Sequence, residues 1–165
     1  MKNTGTLKVT TPTDREIVLT RVFDAPRSLV FEAMTKPEYV QRWLLGPPGW
    51  SMILCNIDLR VGGAYRYVWR NVDGSEMAMC GVYREIVPPE RIIHTERFEF
   101  GCEAQAGEAL ATAVLTEQSG RTTLTCTVLA PSKEARDAVI ASGMEHGAAA
   151  SYDRLADVLS SMQGP

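Results

Sequence analysis

The sequence predicts an α+β fold in which an antiparallel sheet of seven strands packs against one long C-terminal helix. From residue 50 to residue 129, apolar and polar residues alternate with period two, and short turns separate the alternating runs. Connections this short favour antiparallel neighbours, because parallel neighbours need long crossovers. Residues 132–162 instead carry apolar residues at helical spacing. A helix with one apolar face is expected to lie across the apolar face of such a sheet.

The N-terminal part predicts a polar leader followed by one strand. Residues 1–13 are rich in threonine and polar residues, and we expect them to form a flexible leader. The β-branched run at residues 16–23 is typical of a strand. No repeat, linker or low-complexity tract follows, so residues 14–162 are expected to form a single domain.

Two short helices are expected after the first strand. Asp24 can cap a helix, and Pro26 suits a first helical turn, where its missing N–H group costs nothing. This helix should end before Pro37, and a second one should occupy residues 38–44. The run Gly46-Pro47-Pro48-Gly49 would end the second helix and form a loop at the mouth of the fold.

Six further strands and the C-terminal helix complete the prediction. Strands are expected at residues 50–59, 64–70, 76–87, 91–100, 108–116 and 122–129. The turn signals between them lie at residues 62–63, 71–74, 88–89, 101–107 and 119–120. Residues 132–162 are expected to form one helix, whose sheet-facing side includes Met144, Ala148 and Ser151.

Composition and charge exclude several classes of protein. The chain has 165 residues, of which 45% are hydrophobic and 22% charged, as in globular proteins. Its net charge of -3 argues against a nucleic-acid-binding protein. No apolar run is long enough to span a membrane, and no export signal is visible, so we expect a cytoplasmic protein. The four cysteines are expected to be free thiols, and the two histidines indicate neither a metal site nor a cofactor.

Several segments, taken in order, resemble a known family. FDAP, DLRVGG, GVYREIVPPERI and DRLADVL resemble the START-like (SRPBCC) superfamily, and within it the family of the activator of heat-shock protein 90 ATPase. The resemblance covers residues 14–162 and implies the helix-grip (Bet v 1-like) fold, a curved seven-stranded sheet around the C-terminal helix with a hydrophobic cavity between them. It implies little about chemistry, because the relatives include ligand carriers, co-chaperone modules, resistance proteins and a few enzymes.

His94 and Glu96 form the most suggestive polar pair. Alternation along residues 91–100 places both on the same strand face as Phe98, which we expect to be the concave face. An imidazole beside a carboxylate can orient a ligand hydroxyl or carbonyl, or act as a general acid or base. The alternative is a satisfied structural pair. Because no third group completes a catalytic set, these two residues are only weak catalytic candidates.

Aromatic and methionine side chains share the parity of the inner face. Such side chains provide broad apolar contact with a few polar tips, as small-molecule pockets require, although ordinary core packing is the alternative. With His94 and Glu96, the expected ligand-binding residues are Trp50, Tyr67, Trp69, Met79, Tyr83, Phe98, Met144, Ala148 and Ser151.

Ala148 departs from the family pattern. Relatives commonly carry a bulky aromatic at this position of the last helix, whereas this chain has three consecutive alanines from Ala148 onwards. The missing ring would either enlarge the cavity or be replaced by Trp50 or Trp69. Compensating repacking of the core is the alternative.

Three functions are compatible with the sequence. The first is a cytoplasmic protein that binds a small apolar or aromatic molecule in an internal cavity. The second is an enzyme of the same fold, a cyclase, dehydratase or hydrolase that uses His94 and Glu96 to move protons. The third is a co-chaperone-like module with a chaperone partner. A free edge strand could also support a homodimer.

Overall fold

The fold is described from a computed structural model, which defines residues 7–102 and 107–164. Residues 1–6 of the expected leader and residues 103–106 of one expected turn lie outside the described residues. The described elements are β1 (Lys8–Thr10), β2 (Glu16–Phe23), α1 (Arg27–Thr35), α2 (Pro37–Trp43), β3 (Trp50–Ile57), β4 (Ala64–Asn71), β5 (Glu76–Val87), β6 (Arg91–Phe100), β7 (Glu108–Gln118), β8 (Arg121–Leu129), α3 (Lys133–Ala141) and α4 (Met144–Met162).

The eight strands form one sheet in the order β1-β2-β8-β7-β6-β5-β4-β3, and every neighbouring pair is antiparallel. Strands β3 to β8 follow one another along the sheet as a meander, as the short turns predict. Strand β2 closes the other side by pairing with β8, so the first long strand lies beside the last. The edges of the sheet are therefore β1 and β3.

The expected count of seven strands is wrong by one. Lys8–Thr10, within the segment expected to be a leader, form β1 and pair with residues 18–20 of β2. Three residues with only Val9 turned partly inward are too few to show an alternating pattern. The other strands lie within two residues of their expected positions.

The expected single C-terminal helix is also wrong, because the chain breaks between α3 and α4. Gly143 has φ +81°, a left-handed conformation that other residues rarely adopt, and it ends one helix and begins the next. Ser132 caps α3 by accepting a hydrogen bond from the Ala135 N–H group at 3.0 Å. On one continuous helix, Ala135 and Val139 would point away from the side that carries Met144 and Leu155, and Ser142-Gly143 is a turn signal, so the sequence did contain signs of the break.

The core lies between the sheet and helices α1, α2 and α4. Strand β2 alternates partly buried and buried residues along its whole length, with Ile17 and Phe23 turned inward. From α4, Leu155, Val158 and Leu159 pack into the same core. This inner surface of the sheet, which faces α4, is called the concave face below.

Buried and half-buried contacts fix α4 on the concave face. The Arg21 side chain on β2 is 1% exposed, and its Nη1 atom donates to Asp153 Oδ1 of α4 at 2.8 Å. The Tyr152 ring packs edge-on against Phe23 and stacks on Trp43 of α2. Helix α4 is therefore anchored by both a charge pair and aromatic packing, whereas no residue of α3 is buried.

Candidate functional site

A cavity of about 80 Å³ lies under α3, between that helix and the concave face. Strands β2, β6, β7 and β8 line it from the sheet side, and α3 with the first residue of α4 lines it from the other. The lining residues are Ile17, Glu96, Gly107, Ala109, Val128, Ala130, Pro131, Ala135, Val139 and Met144. We call this space the α3 cavity.

The α3 cavity exists because β7 presents small side chains to the concave face. Ala109, Ala111 and Ala113 pair with Glu96, His94 and Ile92 of β6, so all three alanines face inward. Of the three, Ala111 and Ala113 are buried and do not line the cavity. Ala109 lines it, and Ala135 and Val139 of α3 cover the space that its methyl group leaves. The cover is shallow, because both side chains stay partly exposed.

Glu96 is the polar group of this lining, and it contacts His94. The two residues occupy alternate positions on β6, and Nε2 of His94 lies 3.2 Å from Oε2 of Glu96. Each side chain is 20% exposed, so both face the interior, as the strand parity predicts. The Nδ1 atom of His94 is buried and has no hydrogen-bond partner among the described residues.

The hydrogen bonding favours one tautomer of His94. A neutral imidazole with its proton on Nε2 donates to Glu96 and leaves Nδ1 as an acceptor without a donor. A proton on Nδ1 would be a buried donor without an acceptor, which costs about 1–3 kcal/mol. The pair is thus arranged so that Glu96 holds the imidazole in place.

The charge of Glu96 reaches across the concave face. Burial raises the pKa of the Cys126 thiol to about 12, and the neighbouring Glu96 charge adds to the effect. Burial first and Glu96 second also raise the pKa of Tyr65. The same charge contributes to the raised pKa values of Tyr67 and Tyr152, in which burial is again the main cause. Glu96 therefore lies close enough to these groups for its charge to disfavour their ionisation.

The predicted aromatic residues pack together instead of lining the α3 cavity. Tyr67, Trp69, Met79 and Tyr83 are all buried in the core. The Trp69 Nε1–H group donates to the Leu44 carbonyl at 2.7 Å, and the Phe98 ring stacks on Trp69. These side chains fill the concave face over β4 and β5. Their role as ligand contacts stays a prediction.

Tyr65 connects this aromatic group to β6, where it contacts Thr95 and His94. Its hydroxyl donates to the Thr95 carbonyl at 2.6 Å, and its ring lies 5.3 Å from the His94 ring in an edge-on arrangement. The ring passes over Gly81, where an added Cβ would lie 2.7 Å from the Tyr65 ring and 1.9 Å from the Thr95 oxygen. Gly81 is thus required by the close approach of β6 and Tyr65.

The loop at residues 46–49 is docked on α4. The Gly46 N–H group donates to Ser151 Oγ at 2.9 Å, and Arg154 donates to the Gly46 carbonyl at 2.8 Å. Pro47 packs against Gly147, where an added Cβ would lie 3.2 Å from the proline ring. Ser151 therefore holds this loop, while Ala148 and Trp50 are half-buried beside it.

Only two of the predicted ligand-binding residues, Glu96 and Met144, line the α3 cavity. The lining residues contributed by β2, β7, β8 and α3 were not predicted from the sequence. The alanines at alternate positions of β7 were the available signal, because small inward residues opposite a helix leave space. The contribution of α3 could not be seen without the break at Gly143.

In residues 7–102 and 107–164, no group of three His, Cys, Asp or Glu side chains could hold a metal ion. Within those ranges, no helix has the length and apolar character needed to cross a bilayer.

The sheet, the order of its strands and the helix lying on its concave face define a helix-grip domain of the START-like superfamily. The family model described as "Activator of Hsp90 ATPase homolog 1-like protein" matches residues 24–160, which is most of the chain. The chain belongs to this family, as the quoted segments predict. The α+β fold class is likewise confirmed, apart from the strand count.

Solved structures with the same fold come from several bacteria. A crystal structure from Rhodobacter sphaeroides has a TM-score of 0.88 and 29% identity, covering 95% of this chain and 99% of that one. One from Chromobacterium violaceum has a TM-score of 0.78 and 29% identity, covering 89% and 98%. An NMR structure from Arthrobacter aurescens, 23% identical with a TM-score of 0.84 over 95% and 93%, shows the fold alone. The comparison with curated proteins gave no match.

Proposed function

We propose that this protein binds a small, mostly apolar molecule in the α3 cavity. The observation that carries the proposal is the lining itself, in which one carboxyl group stands among apolar side chains and backbone. Ligand sites in proteins combine a predominantly apolar wall with a few placed polar groups. Excluding water from such a wall contributes about 0.8 kcal/mol for each buried CH₂ group of the ligand.

The volume of the cavity limits what can enter without movement. A cavity of roughly 150 Å³ lined by apolar side chains holds benzene. The α3 cavity, at about 80 Å³, is about half that size and accommodates a molecule of a few non-hydrogen atoms. A larger ligand requires α3 to move away from the sheet.

The packing of α3 is compatible with such a movement. None of its residues is buried, and Gly143 separates it from the firmly anchored α4. The Arg136 Nη1–H group donates to the Thr13 carbonyl at 2.7 Å, which ties α3 to the chain before β2. An element with so little buried apolar surface opens at a lower free energy than the rest of the core.

A matched pair of substitutions tests the proposal. Ala135→Leu places a larger side chain in the α3 cavity, whereas Ala138→Leu adds the same atoms to an exposed position of the same helix. We expect isobutanol and isopropanol, which are small enough for the cavity, to perturb the NMR amide signals of Ala109, Val128 and Val139. Ala135→Leu should abolish this response and Ala138→Leu should retain it.

The leucine of Ala135→Leu could displace α3 instead of filling the cavity, so a second variant is needed as a control. Ala109→Leu fills the same cavity from β7, on the opposite wall. Equal binding in the filled variants and the wild-type protein would overturn the proposal. So would an absence of any response to these alcohols in the wild-type protein.

The enzyme hypothesis depends on the same polar pair. The 3.2 Å contact between His94 and Glu96 is the geometry in which a carboxylate orients a basic imidazole. A general base, however, must reach the proton that it removes, and Nδ1 of His94 is enclosed by protein. Binding is therefore the function that the geometry supports better. The chaperone partner, homodimer and cytoplasmic location stay predictions.

A further inference from the structure

We infer that Glu96 makes the α3 cavity selective for molecules that carry a hydrogen-bond donor, above all a protonated amine, and that it excludes carboxylates. The inference rests on the proposed function and specifies its ligand class. Among the lining residues, Glu96 alone has an ionisable side chain. An ionised carboxylate only accepts hydrogen bonds, so the occupant must supply the donor.

The carboxylate has free capacity for a ligand. Two carboxylate oxygens offer about four lone-pair sites. The described residues give Glu96 one hydrogen-bond partner, Nε2 of His94, which lies 3.2 Å from Oε2. Since His94 also fixes the position of the carboxylate, the remaining sites are held ready on a rigid strand beside the cavity.

The basic groups around the cavity make other interactions. Arg21 pairs with Asp153 at 2.8 Å. The Arg15 Nε–H group donates to the Ala130 carbonyl at 2.9 Å, and Arg136 pairs with Asp137. None of these three guanidinium groups lines the α3 cavity. No protein cation among the lining residues therefore competes with a cationic ligand for Glu96.

Charge decides between ligands of similar shape. A hydrogen bond between an ammonium group and a carboxylate is roughly twice as strong as one between neutral groups. A ligand carboxylate would instead place a second negative charge beside Glu96, in a region where that charge already disfavours ionisation of Tyr65 and Cys126. Such repulsion gives specificity by penalising the wrong ligand.

The test compares three molecules built on one branched skeleton: isobutylamine, isobutanol and isobutyrate. Binding is measured at neutral pH by NMR titration of the wild-type protein. We expect isobutylamine to bind at least about 10-fold more tightly than isobutanol, which corresponds to about 1.4 kcal/mol. Isobutyrate should not bind.

Variants locate the effect at Glu96. Glu96→Gln keeps the shape and removes the charge, so the amine should lose its advantage while isobutanol still binds. Glu96→Asp keeps the charge on a shorter side chain, and the amine should remain the preferred ligand. Glu38→Gln, at an exposed position on α2, makes the same change of charge away from the cavity and should leave the preference unchanged.

The possible results separate the two proposals. Isobutanol binding as tightly as isobutylamine would overturn this inference and leave the proposed function standing. An amine preference that survives Glu96→Gln would also overturn the inference. If none of the three molecules binds, the proposed function itself fails.

Discussion

The two halves of the concave face differ in the size of the side chains that they present. Over β4 and β5, Tyr65, Tyr67, Trp69 and Tyr83 pack ring against ring and fill the space up to α2 and α4. At the start of β7, the small inward-facing Ala109 leaves space, and the α3 cavity lies above it. A single regular sheet can thus build a filled core on one side and leave a cavity on the other. The volumes of the inward side chains decide which forms.

The largest effect is expected where the filled half is tightest. Gly81→Ala would place a Cβ atom 1.9 Å from the Thr95 carbonyl oxygen. Because backbone atoms cannot move aside cheaply, we expect a loss of about 3 kcal/mol or more in the free energy of unfolding. Urea unfolding followed by tryptophan fluorescence measures it. Val82→Ala, at the exposed next residue, is the control and should change stability little. A similar small loss for both variants would show that the aromatic half is loosely packed.

A smaller loss of stability is expected for substitutions in the C-terminal helices, and it should differ between α4 and α3. Val158 on α4 is 3% exposed, so Val158→Ala should cost about 2 kcal/mol of unfolding free energy through lost packing. Val139 on α3 lies over the cavity and is only partly buried, so Val139→Ala should cost about 0.5 kcal/mol. The same urea experiment compares the two. Equal losses would contradict the conclusion that α3 covers the cavity without joining the core.

The third effect concerns how well water is excluded from the Cys126 thiol, on the cavity side of the sheet. Burial raises the pKa of the Cys126 thiol from 9.0 to about 12, so the folded state holds this proton more firmly than the unfolded state. The resulting stability is complete below pH 9 and is lost as the pH rises toward 12, by about 1 kcal/mol at pH 10. Unfolding in urea at pH 8, 9 and 10 measures the loss.

Two cysteine variants assign this loss to one half of the face. Cys126→Ala should reduce the decline in stability between pH 8 and 10. Cys55→Ala removes a thiol of the aromatic half, whose pKa burial raises to about 11, and should reduce it similarly. If only Cys55→Ala changed the slope, water would fill the space beside Cys126.

Much of the fold could be predicted from local signals. Alternation located the strands because one face of the sheet is buried, and Gly and Pro marked the turns. The same parity placed His94 and Glu96 on the concave face, where they contact each other. A three-residue edge strand leaves no periodic signal, so β1 was missed. The division of the C-terminal helix was missed although Ser142-Gly143 is a turn signal.

The position of the cavity could not be predicted as readily. The sequence predicts ligand contacts at Trp69 and Tyr83, because aromatic residues are common in ligand pockets. In this protein they fill the space themselves. Ser151 looked available on the inner face of the helix, yet its hydroxyl binds the loop at Gly46. A cavity is space that side chains leave unfilled, so it depends on small residues such as Ala109. The residues that lie opposite Ala109 in the sheet could not be read from the sequence.

The pairing of β2 with β8 has a consequence for synthesis on the ribosome. Glu16 lies opposite Leu129 and Phe23 opposite Thr122, so about a hundred residues separate the partners. Contacts this distant along the chain form late, because a long loop must close before they are made. Residues of β2 therefore emerge early and have only the three-residue β1 as a partner strand until β8 has been translated. The hairpins from β3 to β6 can pair in the meantime, so the aromatic half is expected to assemble before the half that holds the cavity.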